Sequence, residues 1–184
     1  MQSSPTTRIV AIGGGHCNCQ MLKLLKKKVQ DSAAPMTMTL INESAVSYYS
    51  GMLPGTVSKL YTDEDLKIEL APLAEWCGAK YIQERVTKIE GDKNLIHLEN
   101  GETVEYDVLA VNVGSKTKDT GNIKGVWEHA LTTRPINDLI PKIIKKEQEL
   151  KEKGVIPTVV ICGGGAAGTE LSFAFKKRWS EFFG

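Results

Sequence analysis

The sequence predicts an α/β chain that contains two units of the same kind, each an apolar strand, a glycine turn and a helix. The first unit runs from Arg8–Ile12 through Gly13–His16, and the second from Thr158–Cys162 through Gly163–Gly168. Between them, short strands joined by an Asn100-Gly101 turn indicate a small antiparallel insert. Strands that alternate with helices favour a parallel sheet. The predicted order is therefore βαβ, the insert, a return strand, a helix and a second βα unit.

Both glycine turns have the composition of a dinucleotide-binding turn. The first amide groups of a helix are unpaired and attract anions, and glycines let the backbone approach a pyrophosphate closely. Gly163, Gly165 and Gly168 fill all three glycine positions of the second turn. In the first turn the third position is Asn18, which we expect to hold the helix slightly further from the strand. Two such turns predict two dinucleotides, the layout of a flavoprotein reduced by NAD(P)H.

A crossover helix and a second buried strand follow the first turn. Gln20–Val29 has apolar residues at helical spacing, and Met36–Ile41 is typical of a buried strand. In dinucleotide-binding units, an acidic residue after this strand accepts hydrogen bonds from the adenosine ribose. Glu43 is the candidate for that role and Asn42 the alternative. A carboxylate that is simply solvated in a loop is the third interpretation.

The middle of the chain contains two segments of different character. Tyr48–Gly55 is rich in Gly and Pro and also apolar, so we expect an irregular segment that packs against a flat aromatic ligand. Asp63–Cys77 predicts a helix with an inward apolar stripe, and Pro72 is expected to limit it.

The second half of the chain predicts the insert, a return strand and a long helix. Asp107–Ser115 reads as a buried strand that ends in a turn of small residues, where Gly114 allows a ligand to approach the backbone. Pro135–Lys153 is expected to be a connecting helix, charged on its exposed face. The insert should contain three short strands, at Tyr81–Ile89, Leu95–Leu98 and Thr103–Tyr106.

Composition excludes several classes of protein. The 184 residues include 23 Lys plus Arg and 22 Asp plus Glu, so the basic footprint of a nucleic-acid-binding protein is absent. No apolar run approaches the ~20 residues that span a bilayer. The start, Met1–Thr7, lacks the apolar core of a signal peptide. We expect an intracellular protein, cytoplasmic or mitochondrial, with no transmembrane segment in this portion, and its oligomeric state stays open.

The cysteines and histidines complete no catalytic or metal site. Cys17 and Cys19 lie one residue apart, but no second cysteine pair or histidine cluster accompanies them. We therefore expect reduced, structural thiols. His16 lies beside the first glycine turn, where it could steady an anion or make a hydrogen bond at the helix start. No general acid or base stands out, so no catalytic residue and no metal ligand are assigned.

Two stretches resemble a known family. Gly13–His16, together with the Tyr-Ser-Gly-Met-Leu-Pro-Gly run at Tyr49–Gly55, resembles the pyridine nucleotide-disulfide oxidoreductase superfamily of two-dinucleotide-binding flavoproteins. The resemblance is strongest to the type II NADH dehydrogenase-like branch, particularly the flavoprotein module sometimes fused to selenide, water dikinase. It implies a Rossmann-like, three-layer FAD-binding domain over residues 1–134, a linker helix over 135–154, and the start of a second Rossmann-like domain, for NAD(P)H, over 155–184.

The resemblance also implies which residues meet each cofactor. In the turn that ends at Gly114, Asn112 and Val113 replace the family's usual Ala and Thr. Gly163, Gly165 and Gly168 would bind the NAD(P)H pyrophosphate, and Glu170 would orient the nicotinamide end. The implied FAD contacts are Gly13, Gly14, Gly15 and His16 for the pyrophosphate, Asn42 or Glu43 for the ribose, the backbone near Val86 for adenine, Ser50, Gly51 and Pro54 for the isoalloxazine, and Gly114 for the flavin.

The sequence departs from the disulfide-using members of the family. Those members carry Cys-x4-Cys on the helix after the first crossover, and coenzyme A disulfide reductases carry a cysteine about where Gly51 stands. Neither cysteine pattern is present here. The resemblance then implies direct hydride transfer from NAD(P)H to FAD, and electron transfer on to a quinone or other small acceptor.

The family pattern continues beyond Gly184, so we expect an incomplete FAD-binding domain and only the beginning of the nicotinamide domain. We expect the 184 residues alone to be inactive. The alternative is a truncated, catalytically silent flavin- or nucleotide-binding module that acts through a partner. A nicotinamide-only enzyme is disfavoured by the second glycine turn and by the absence of a Tyr-x3-Lys pair.

Overall fold

The computed structural model describes residues 6–115 and 123–184. The strands are β1 (Thr7–Ile12), β2 (Met36–Asn42), β3 (Val46–Tyr48), β4 (Lys67–Glu69), β5 (Lys80–Gln83), β6 (Val86–Glu90), β7 (Leu95–Leu98), β8 (Thr103–Glu105) and β9 (Val108–Val111). The α-helices are α1 (His16–Asp31), α2 (Leu53–Val57), α3 (Leu70–Cys77), α4 (Val126–His129), α5 (Leu139–Glu152) and α6 (Ala166–Phe183). None of these helices is both long enough and apolar enough to cross a bilayer.

The chain divides into two compact units. The first unit comprises Met1–Ser47 and Ile68–Gly114, and the second comprises Tyr48–Lys67 and Ser115–Gly184. These divisions differ from the predicted boundaries at residues 134 and 154, and those boundaries stay predictions.

The first unit is a three-layer α/β structure. Its central sheet has the strand order β5-β2-β1-β9, and every pair in it is parallel. Successive side chains of a strand point to opposite faces. Ile9 and Ala11 of β1 therefore pack with α1 and α3, while Val10 and Ile12 pack with the antiparallel sheet β6-β7-β8. The predicted α/β class, with a parallel sheet and a small antiparallel insert, is confirmed.

An ion-pair cluster aligns β9 with β1. The Arg8 backbone N–H donates to Asp107 Oδ2 over 2.7 Å, and Asp107 N–H donates to the Arg8 carbonyl over 2.9 Å. The Arg8 guanidinium bonds the same carboxylate and also Glu105. The hydrogen bonds that Arg8 donates from its side chain and its backbone lower the pKa of Asp107 to about 2. Because these two residues are joined, the end of β9 arrives beside the end of β1.

Two predicted segments in the middle of the chain are wrong in detail. Tyr48–Gly55 is regular rather than irregular, because a 3-10 turn at Ser50–Met52 leads directly into α2, and Pro54 is tolerated in the first helical turn. The predicted helix over Asp63–Cys77 contains a 3-10 turn, then β4, then α3. Pro72 lies in the first turn of α3, where an N–H has no helical partner, so it does not end that helix.

Two predicted strands also need correction. Tyr81–Ile89 is divided into β5, which joins the parallel sheet, and β6, which joins the antiparallel sheet. The predicted strand Asp107–Ser115 is shorter, because only Val108–Val111 pairs with β1. Leu95–Leu98 is confirmed as β7, and most of Thr103–Tyr106 is confirmed as β8.

The second unit has a helical core. Leu53 and Val57 of α2 are buried with Leu139 and Ile143 of α5 and with Phe175 of α6. The predicted connecting helix at Pro135–Lys153 is confirmed as a 3-10 turn followed by α5. The predicted strand Thr158–Cys162 is wrong for the described residues, because it pairs with no neighbouring strand there and has no regular secondary structure.

A buried ion pair joins the helices of this unit. Glu147 on α5 and Arg178 on α6 are almost fully buried, and Arg178 Nη2 donates to Glu147 Oε2 over 2.8 Å. Trp179 Nε1 donates to Glu147 Oε1 over 2.9 Å, and Arg178 Nη1 donates to the Val57 carbonyl at the end of α2 over 3.3 Å. The pair therefore satisfies polar groups from all three helices.

We expect Glu147→Gln to lower the free energy of unfolding by about 3 kcal/mol, because Arg178 would keep a buried charge without a carboxylate. Glu149→Gln is the matched control on the same helix, since Glu149 forms a partly exposed pair with Lys146 over 2.7 Å. That change should cost less than about 1 kcal/mol. Urea unfolding measures both values. Equal losses for the two variants would contradict the structural role of the buried pair.

Candidate functional site

The carboxyl ends of three parallel strands meet at one edge of the first unit. Gly13–Gly15 follows β1, Asn42 ends β2, and Asn112 follows β9. Ligands of open α/β sheets bind at this kind of edge. Gly13 has φ of +88°, and its N–H donates to the Ile41 carbonyl over 2.8 Å. The turn is thereby bound to β2 as well as to its own strand.

Asn42 is a structural part of this edge. Its Oδ1 accepts from Gly14 N–H over 2.9 Å, and its Nδ2 donates to the Ser44 carbonyl over 2.6 Å. Glu43 has an exposed carboxylate 3.7 Å from Arg85 Nε. Of the two residues predicted to meet a ribose, Glu43 thus has the more accessible acceptor, whereas both polar ends of Asn42 already have partners. Their role toward a ribose stays a prediction.

Asn112 closes the first glycine turn, and sequence analysis assigned it no role. Its carbonyl accepts from Gly15 N–H over 3.2 Å, and its side-chain Oδ1 accepts from Cys17 N–H over 3.2 Å. A Cβ on Gly15 would lie 2.0 Å from Asn112 Oδ1, and one on Gly13 would lie 2.4 Å from the Asn112 carbonyl oxygen. The sequence signal for this role was the presence of asparagine at a position where the family usually has alanine.

Asn18 occupies the third glycine position of the first turn and makes side-chain hydrogen bonds there. It is buried, and its Nδ2 donates to the carbonyls of Ile12 and Gly13, each over 2.9 Å. The side chain therefore ties α1 to the end of β1. The expected outward shift of α1 stays a prediction.

The remaining residues predicted to contact FAD have varied environments. In the first unit, Val86 begins β6 and packs against the core beside the antiparallel sheet, and Gly114 is exposed with φ of +76°. In the second unit, Ser50 and Gly51 form the 3-10 turn, and Pro54 lies in α2. A Cβ on Gly51 would lie 2.8 Å from the Tyr49 hydroxyl oxygen. Packing against Tyr49 is therefore a local reason for glycine at this position.

The second glycine turn, in the second unit, is more open. A Cβ on Gly168 would lie 1.9 Å from the Gly163 carbonyl oxygen, so the third glycine is required by the close approach of α6 to the turn. Gly165 precedes the first residue of α6, and a Cβ there would meet nothing within 4 Å. Glu170 lies in the second turn of α6 and is exposed.

The cysteines form no redox pair in the described structure. Cys19 and Cys77 are buried, whereas Cys17 and Cys162 are exposed, and all four are free thiols. Burial raises the pKa of the Cys19 and Cys77 thiols, so their reactive thiolate forms are disfavoured. Across residues 6–115 and 123–184, no three His, Cys, Asp or Glu side chains come together as a metal site.

The fold and this edge define a dinucleotide-binding α/β protein. A family model described as pyridine nucleotide-disulphide oxidoreductase matches residues 7–182, and the chain belongs to this family. The resemblance seen in the sequence is thereby confirmed. Members of the family depend on FAD and NAD(P)H.

The chain is similar over most of its length to two quinone-linked enzymes. It is 25% identical to the type II NADH:quinone oxidoreductase of Staphylococcus haemolyticus (strain JCSC1435), over 95% of this chain and 44% of the relative. It is 26% identical to the sulfide-quinone reductase of Aquifex aeolicus (strain VF5), over 93% of this chain and 38% of the relative. The chain therefore spans about two fifths of the length of these curated relatives.

Solved structures agree on the fold. The structure of NDH2 from Plasmodium falciparum in complex with RYL-552 superimposes with a TM-score of 0.71 at 23% identity, over 97% of this chain and 40% of that one. The predicted Rossmann-like fold class is confirmed by this similarity.

We expect Gly15→Ala to lower the free energy of unfolding of the cofactor-free chain by about 1–3 kcal/mol, because the new Cβ would lie 2.6 Å from the backbone carbonyl oxygen of Asn112. Gly165→Ala, at the equivalent position of the second turn, should change it by less than about 0.5 kcal/mol, since the space beside Gly165 is open. Urea unfolding without added nucleotide compares the two. A Gly15→Ala variant as stable as Gly165→Ala would show that Asn112 does not lie against the turn.

Proposed function

We propose that the chain is the FAD-binding portion, with the beginning of the NAD(P)H-binding portion, of an oxidoreductase that passes electrons from NAD(P)H to a quinone or another small acceptor without a redox disulfide. The observation that carries this proposal is the edge formed by Gly13–Gly15, Asn42 and Asn112, within a chain that belongs to the pyridine nucleotide-disulphide oxidoreductase family.

The residues at this edge fit the diphosphate and ribose of FAD. Gly13 and Gly15 place no side chain of their own at the start of α1, and no acidic residue lies in the first turn of that helix to repel a phosphate. The exposed carboxylate of Glu43 lies one residue beyond Asn42 and can accept hydrogen bonds from ribose hydroxyls. When bound, FAD supplies the two-electron chemistry. The chain itself supplies binding and orientation.

The acceptor is proposed from the names of the relatives. One is named for NADH and quinone and the other for sulfide and quinone, so quinone is the substrate that the two names share. The second glycine turn favours a nicotinamide nucleotide as the electron donor of this protein, because Gly163–Gly165 is open and leads into α6.

The absence of disulfide chemistry is proposed from the cysteines. Cys19 and Cys77 are buried on the helix face of the first unit, among apolar side chains. Cys17 is exposed and Cys19 is buried, and a single residue separates them on α1. Hydride transfer would then run from NAD(P)H to FAD without a cysteine relay.

Flavin binding is the first test of this proposal. Purified chain, titrated with FAD and separated from free cofactor by ultrafiltration, should retain flavin that is released on denaturation. Gly165→Ala should leave this retention unchanged, because Gly165 belongs to the turn proposed for NAD(P)H and a Cβ there would meet nothing within 4 Å. A chain that is folded by circular dichroism but retains no FAD would refute the flavin assignment.

Cysteine replacement tests the proposed electron path. Cys17→Ser and Cys162→Ser, combined with the size-matched changes Cys19→Ala and Cys77→Ala, should leave anaerobic flavin reduction by NADH within about tenfold of the parent, a barrier change of ~1.4 kcal/mol. The natural reading frame that contains this chain is the appropriate protein for this assay. A fall of several orders of magnitude, with the fold and the FAD content retained, would establish a catalytic cysteine.

A further inference from the structure

Four amide groups at the first glycine turn and the start of α1, those of Gly13, Gly14, Gly15 and Cys17, have acceptors in the protein. Gly13 and Gly15 donate to the backbone carbonyls of Ile41 and Asn112. The two acceptors that belong to side chains are Asn42 Oδ1, for Gly14 N–H, and Asn112 Oδ1, for Cys17 N–H. A phosphate that takes the amide of Gly14 or Cys17 must therefore replace a side-chain oxygen.

The two asparagine side chains differ in how firmly they are held. The carboxamide of Asn42 is bound at both ends, at Gly14 N–H and at the Ser44 carbonyl, and its bond to Gly14 is partly buried. The carboxamide of Asn112 is bound at its oxygen alone, and its Nδ2 has no hydrogen-bond partner among the described residues. The bond from Cys17 N–H is exposed and, at 3.2 Å, longer than the Gly14 bond of 2.9 Å. Asn112 is thus the acceptor that can rotate away at low cost.

The Asn112 side chain also lies at the point where a phosphate would approach the start of α1. Its oxygen lies where a Cβ of Gly15 would be, at 2.0 Å, and so covers the backbone of the residue just before α1. Glycine at this point is what allows a phosphate to approach the helix start. The carboxamide oxygen carries a partial negative charge and accepts an N–H of the first turn, as a phosphate oxygen would.

We propose that Asn112 is a displaceable cap of α1, whose side-chain oxygen binds Cys17 N–H and gives up that amide to a phosphate oxygen when FAD binds. This inference rests on the proposed function, because it assumes that FAD binds at the first turn. Asn112 is a positioning residue that keeps the start of α1 satisfied without cofactor and lowers the affinity for FAD in return. No covalent bond changes.

The displacement has a thermodynamic consequence. Asn112→Ala removes the competing acceptor, so FAD binding no longer has to break the Cys17 bond. We expect the dissociation constant for FAD to fall about five-fold, which corresponds to about 1 kcal/mol. The cofactor-free chain should melt at a lower temperature, because Cys17 N–H loses its protein acceptor. Asn112→Asp should weaken FAD binding at least ten-fold, because its carboxylate competes more strongly for the amide and repels the pyrophosphate.

Asn100→Ala is the matched control. Asn100 Oδ1 also accepts an exposed backbone N–H, from Glu102 over 2.9 Å, but it lies in the β7-β8 turn of the antiparallel sheet. It should lower the melting temperature of the cofactor-free chain and leave the dissociation constant for FAD unchanged. This control separates general destabilisation from competition for the Cys17 amide.

The experiment combines FAD titration, followed by flavin fluorescence, with amide NMR of the 184-residue chain. The Cys17 amide resonance should differ between the parent and Asn112→Ala without cofactor and coincide when both are saturated with FAD. Equal or weaker FAD binding by Asn112→Ala, or a Cys17 resonance that still differs at saturation, would overturn the displacement while the flavin assignment stands. A parent chain that binds no FAD at all would overturn both proposals.

Discussion

The contact between the end of β9 and the glycine turn after β1 is the constraint on which the candidate site depends. Gly13 and Gly15 have no room for a Cβ because the backbone and side chain of Asn112 lie directly against them. That contact requires β9 to run parallel to β1 in one register, and the Arg8–Asp107 interaction joins the two strands five residues earlier on each. Strand pairing, turn composition and helix start are therefore one coupled arrangement.

Contacts within the protein hold this edge together. The glycines serve internal packing as well as close approach by a ligand, and the turn amides are satisfied by carbonyl and carboxamide oxygens. A site organised in this way avoids most of the entropy of ordering a loop on binding. The proposed exchange of acceptors at the start of α1 would then accompany cofactor binding. Burial raises the pKa of the Cys19 and Cys77 thiols and so disfavours their thiolates.

The second unit is stabilised by a different interaction, a buried ion pair. Its helices share a buried carboxylate and guanidinium, Glu147 and Arg178, and such a pair is stable only when its remaining polar atoms have partners. Trp179 and the carbonyl of Val57 supply those partners. The unit also leaves large apolar side chains exposed, among them Ile156, Val160 and Phe173.

The sequence by itself determined several of the local elements and the family. Apolar runs followed by glycines identify β1 and the turns, and successive residues of β1 pack on opposite faces because of the two-residue period of a strand. Glycine spacing and the Ser50–Gly55 run were enough to indicate the pyridine nucleotide-disulfide oxidoreductases, which the family match confirms. They also indicated the α/β class, because a strand, a glycine turn and a helix are each specified by neighbours in the chain.

Features that depend on residues distant in the sequence were decided only by the tertiary structure. Whether Thr158–Cys162 becomes a strand depends on a neighbouring strand that its own residues cannot specify, and it forms no ladder among the described residues. The split of Tyr81–Ile89 depends on two different sheets. Asn42 and Asn112 acquire their roles because parallel strands bring residues 28 and 95 positions away in sequence to the same turn. Local propensity describes each residue with its chain neighbours, whereas a hydrogen-bond acceptor at a sheet edge is defined by the strand that packs beside it.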